Sequence, residues 1–125
     1  MSAFVDSSVL IDYLRGDRRA AKLLEDELAR GVLHASEITR VEILAGMRAS
    51  EEDRTRATLS ALAWHPVDES VAEVAGSLGR KWLPGNRGID GPDLAIAATA
   101  QLLGLDLLTR NVRHFPMFAG LQAPY

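Results

Sequence analysis

Cysteine is absent from all 125 residues. That excludes disulfides, thiolate nucleophiles and every cysteine-based metal site. The lack suits a reducing compartment, and a cytoplasmic protein is the expectation. Long hydrophobic runs are also missing. The longest uncharged stretch, Leu94 to Leu105, spans 12 residues, whereas a membrane-crossing helix needs roughly 20. The N-terminal MSAFVDSSV has neither the basic start nor the apolar core of a signal peptide. Phosphate-cradling GxGxxG and Walker A loops do not occur. Nor is there an excess of basic charge: 14 Lys and Arg stand against 17 Asp and Glu, a net charge of −3. Such a chain is no general nucleic-acid coat. It can still be a nuclease, whose catalytic acids add negative charge while local arginines hold phosphates.

What is present reads as one globular domain over residues 1–125, with 47% apolar and 25% charged residues. Short apolar runs alternate with helical periodicity. Strands are expected at Ala3 to Val5, Val32 to Ala35, Trp64 to Val67 and Leu105 to Leu108. Helices are expected at Val9 to Arg15, Arg18 to Arg30, Glu37 to Ala49, Glu51 to Leu62, Val71 to Trp82 and Leu94 to Leu103. Leu83 to Gly91 is the one loop of any length, and a short turn through Phe115 and Phe118 closes the chain. The alternation implies an α/β fold: a short-stranded parallel sheet between two helical layers.

In such a sheet the carboxyl ends of the strands share one rim, where open α/β folds place their chemistry. Asp6 follows the first strand and Asn111 the last. Glu42 lies in the helix after the second strand, and Asp93 opens the helix after the Pro/Gly loop. Each has an ordinary structural reading. Asp6 and Asn111 are good N-caps, Glu42 can close a capping box with Thr39, and Asp93 suits a helix N-terminus. Together they place three carboxylates at one rim. The apolar residues after Glu42 and Asp93 suggest partial burial of both. Carboxylates about 4 Å apart repel by roughly 4 kcal/mol at an effective dielectric near 20. They share a proton or bind a cation. Without cysteine, an oxygen-rich site favours Mg²⁺, or Mn²⁺, over zinc.

Asp90 either joins this set or points outward. Asp12 lies beyond the tip, and Asp106 should sit at the opposite edge of the sheet. Ser7, Ser8 and Thr109 offer supporting hydroxyls. Arg110 and Arg113 can neutralise a flanking phosphate; further basic groups are Arg15, Arg18, Arg19 and Lys22, and Arg80, Lys81 and Arg87. His34, His65 and His114 pair with no evident serine nucleophile; His114 reads first as a surface or aromatic-packing residue, with RNA contact as the alternative.

VDSSVLIDYLRG, ITRVEILAG, GPDLAIAATA and LLTRNVRHF, in this order, resemble the PIN-domain nucleases, most closely the VapC-type toxins of bacterial toxin–antitoxin pairs. The resemblance spans nearly the whole chain. It implies a three-layer α/β/α PIN domain and a Mg²⁺-dependent endoribonuclease. The family's acidic positions fall on Asp6, Glu42 and Asp93, with Asn111 at a fourth often filled by Asp or Asn. Its hydroxyl positions fall on Ser7 or Ser8 and on Thr109. Departures are an opening Asp-Ser-Ser and a histidine, His114, where many members carry an Asp before the Phe. The resemblance also implies a homodimer and a small antitoxin that covers the site. Leu44, Met47, Leu59 and Leu62 are groove candidates, their ordinary role being core. Two rivals stay open: a non-catalytic module that binds RNA or a partner, and a phosphatase with Asp6 as nucleophile.

Overall fold

The computed structural model describes residues 2–125. Four strands form one parallel sheet in the order β3-β2-β1-β4. They are β1 (Ala3–Val5), β2 (Leu33–Ser36), β3 (Ala63–His65) and β4 (Asp106–Leu108). The helices are α1 (Ser7–Leu14), α2 (Arg18–Arg30), α3 (Glu37–Ala45), α4 (Glu52–Ser60), α5 (Glu69–Trp82) and α6 (Gly91–Leu103). This is the expected fold, with β1 at the centre because its three residues are buried on both faces. Ala3 and Val5 face a core built from Val9, Leu10, Leu24, Leu33 and Ile43. Phe4 faces the other way, toward Ile96, Ala97, Ala100, Leu107 and Phe115. Burying a ring such as Phe4 contributes roughly 2 kcal/mol.

Register aligns the rim. Val5 pairs with Leu108, and the Asp6 amide continues the ladder to the Leu108 carbonyl at 2.9 Å. Asp106 pairs with Ala3 and so lies at the far edge, as expected.

Several element boundaries differ from the sequence reading. α1 begins at Ser7, directly after β1, because Asp6 in extended conformation hands the chain straight into the helix. The long helix expected to Ala49 stops at Ala45: Gly46 ends α3, and a 3₁₀ turn at Ala49–Glu51 leads into α4. β3 is Ala63–His65, earlier than Trp64 to Val67, since Pro66 cannot donate to a ladder. Gly104, at φ 66°, provides the left-handed stop of α6.

An apolar groove of about 250 Å³ opens between α1, α2 and α4, lined by Leu10, Tyr13, Leu24, Leu28 and Leu62 among others. Leu59 is not exposed to it as a docking residue; it is 3% exposed, in the core. Leu44 packs partly buried against the same core. Met47 lines a separate small hollow with Ile11, Leu14 and Glu42. Among the described residues, no helix is long and apolar enough to cross a membrane.

Candidate active site

Asp6 leaves β1 at the N-cap position of α1 but makes no capping hydrogen bond. Its carboxylate is buried and turned to hydroxyls instead. Oδ2 accepts from Ser8 Oγ at 2.9 Å and from Thr109 Oγ1 at 2.8 Å. Oδ1 has only the longer Ser7 contact at 3.5 Å. Thr109 also receives the Asn111 amide at 3.0 Å, and Ser8 receives the Arg110 amide at 3.1 Å. The tips of β1 and β4 are thus laced together by two hydroxyls.

The capping box expected between Thr39 and Glu42 does not form. α3 starts earlier, with Ser36 as its cap, so Thr39 already lies inside the helix. Thr39 is fully buried and its Oγ1 has no hydrogen-bond partner. Glu42 is exposed over most of its surface, while its carboxyl is partly desolvated. Its carboxyl still titrates above the ordinary range. Desolvation is the first cause, followed by the negative charges of Asp6 and Asp90, with a hydrogen bond from Ser7 opposing.

Asp90 and Asp93 form a reciprocal capping box at the start of α6, with Pro92 in the first turn. The Asp93 amide donates to Asp90 Oδ1 at 3.0 Å, and the Asp90 amide donates to Asp93 Oδ2 at 3.2 Å. Asp93 is 9% exposed. Burial, with the adjoining Asp90 carboxylate, pushes its carboxyl up to about 7. Asp90 therefore both caps the helix and adds negative charge to the rim.

His114 is the residue that sequence reasoning missed. Its Nδ1 lies 3.1 Å from Asp93 Oδ2. The sequence signal was its place after Asn111, in the last of the four motifs. Asn111 itself is exposed, without a side-chain hydrogen bond, at the start of a 3₁₀ turn over Val112–His114. Arg113 is exposed. The Arg110 guanidinium turns away to Asp12, at 3.6 Å, and over the Tyr125 ring, at 4.5 Å.

The charges that shift Glu42 and Asp93 are those of Asp6, Asp90 and the His114 imidazole, and among the described residues no lysine or arginine forms an ion pair with any of the four acids. Among the described residues, no three such side chains are already drawn into a ligand cage. A rim of hard oxygen donors without a cationic partner fits a divalent ion that keeps several of its waters.

The model of the family described as PIN domain matches residues 3–120. The chain belongs to the PIN-domain family. This PIN domain is 47% identical to Ribonuclease VapC19 of Mycobacterium tuberculosis over 122 residues, 97% of this chain and 98% of that protein. It is 37% identical to Ribonuclease VapC10 of the same organism, covering 97% and 91%. It also superposes on a chain of a toxin–antitoxin complex from Klebsiella pneumoniae with a TM-score of 0.83, at 34% identity and 98% coverage of both chains.

Proposed function

We propose that this PIN domain is a divalent-metal-dependent endoribonuclease that acts as the toxin of a toxin–antitoxin pair. The observation that carries it is the rim of four acids beside a single imidazole, at the one edge where β1 and β4 end. Two relatives named ribonucleases, each aligned over nearly its whole length, support the reaction class.

Asp6 and Asp93 would hold the ion, with Glu42 and Asp90 adding negative charge and Asn111 at the open side. Mg²⁺ is the expected ion and Mn²⁺ the alternative. Once bound, such an ion acidifies a water and offsets the charge that develops on a phosphoryl group. The chain's own residues do the positioning. Ser8 and Thr109 fix Asp6 so that Oδ1 is the less encumbered oxygen. The α6 capping box fixes the Asp93 backbone. Arg113, exposed beside Asn111, is free to meet a flanking phosphate. Arg110 can do so only by leaving Asp12 and Tyr125. The phosphatase rival loses ground because Ser8, two residues after Asp6, is a hydrogen-bond donor to it and not a second acid.

The toxin–antitoxin neighbour supports a small antitoxin as partner. The α1/α2/α4 groove is our proposed seat for an apolar segment of it, with Leu28 and Leu62 as the accessible contacts. A homodimer in the cytoplasm completes this reading.

The test is cleavage of a mixed RNA pool by purified, antitoxin-free protein. Discrete fragments in Mg²⁺, absent in EDTA and with Asp93→Asn, are the expected result. Equal cleavage in all three arms would overturn the proposal.

A further inference from the structure

We propose that His114 supplies a nitrogen ligand to the ion held by Asp93, and so biases this site toward Mn²⁺ over Mg²⁺. The inference rests on the metal-dependent reading above and adds a donor to it. Two donors that are each about 2.1 Å from one octahedral ion stand about 3.0 Å apart along an edge of the octahedron. His114 Nδ1 and Asp93 Oδ2 are 3.1 Å apart. With the imidazole protonated this contact is an ion pair; with the ring neutral and its proton on Nε2, the Nδ1 lone pair faces a carboxylate oxygen, an arrangement that a shared cation satisfies.

The imidazole is also held in place by its surroundings. The His114 amide donates to the Asn111 carbonyl at 2.9 Å. The next residue, Phe115, is 1% exposed and packs edge-on against Phe118. Nε2 faces Gly88, whose φ of +95° keeps a side chain away; a Cβ there would lie 3.6 Å from Nε2. The ring thus lies beside the side-chain-free Gly88 and presents Nδ1 to Asp93. An imidazole nitrogen is a softer donor than carboxylate or water, which favours the transition ion over Mg²⁺.

Electron spin-echo spectroscopy on tag-free, Mn²⁺-loaded protein reads the bond itself. The expected result is nitrogen-14 modulation from a coordinated imidazole, abolished in His114→Asp while Mn²⁺ stays bound. His34 and His65 remain in that variant, so loss of the signal assigns it to His114. Calorimetry in parallel should show the preference for Mn²⁺ over Mg²⁺ falling about tenfold in His114→Asp, as one softer donor is replaced by oxygen. Mn²⁺ that binds through Asp6 and Asp93 yet shows no nitrogen coupling would overturn the inference and leave the nuclease reading standing. Mn²⁺ that fails to bind wild-type protein at all would overturn both.

Discussion

Two aspartates at helix starts sit in opposite electrostatic settings. Asp17 caps α2, accepts the amides of Arg19 and Ala20, and meets the Arg19 guanidinium at 2.9 Å. The Arg19 side chain first, helped by the Ala20 and Arg19 backbone amides, holds its carboxyl down to about 2 against the opposing desolvation. Asp93 starts α6 with the same kind of backbone bond, yet burial and Asp90 push it up to about 7. One acid has its partner within the fold. The other is kept dry, beside a like charge, with only an imidazole nearby. Local helix chemistry explains the first completely and leaves the second short of positive charge.

The difference is broken hardest by neutralising the rim. Asp6→Asn or Asp93→Asn should lower RNA cleavage roughly a thousandfold, about 4 kcal/mol of transition-state stabilisation, with circular dichroism unchanged. Asn retains the capping acceptor at position 93, so a large loss of fold would contradict the assignment.

The next contrast is pH. A carboxyl whose folded value lies above its ordinary 3.8 binds more protons in the native state. Metal-free stability from Asp93 is therefore greatest below about 4 and falls as pH rises to about 7. Asp17 has the reverse sign: its contribution is present above 3.8 and lost as pH falls through about 2. Chemical denaturation of Asp93→Asn without metal should show a flatter slope between pH 4 and 7. An unchanged slope would mean that Asp93 is not the group responsible.

The smallest effect belongs to the satisfied acid. Asp17→Ala should lower the Tm modestly through the lost cap and leave cleavage and metal binding unchanged. A loss of cleavage there would extend the functional surface to α2.

The strand tips were legible in the sequence because each short apolar run ends abruptly in a polar group, and parallel topology puts those ends on one edge. Asp6 and Thr109 follow from that, and Asp93 from the Pro/Gly loop that opens α6, whereas the sequence leaves Asp90 open between the site and an outward loop position. Other features were not legible, for physical reasons. His114 meets Asp93 only because the loop before α6 and the turn after β4 converge in three dimensions. The TRVE pattern resembles a cap, but Ser36 starts α3 first and leaves Thr39 buried without a partner. Glu42 is largely exposed while its carboxyl is desolvated toward Asp6 and Asp90, a division that its apolar neighbours in sequence do not reveal. Asp12, set aside as distant from the tip, accepts the Tyr125 hydroxyl at 2.7 Å, a contact between the two ends of the chain.

The decisive measurement is thermal unfolding of the metal-free protein at pH 7.5 as Mg²⁺ or Mn²⁺ is added, for wild type and Asp6→Asn. A site completed by a divalent ion gains about 2.7 kcal/mol of stability at 100 times its Kd. A Tm that rises by several degrees in wild type and stays flat in Asp6→Asn is the predicted result. A wild-type Tm indifferent to both ions, or an equal rise in the variant, would contradict a metal site at this rim.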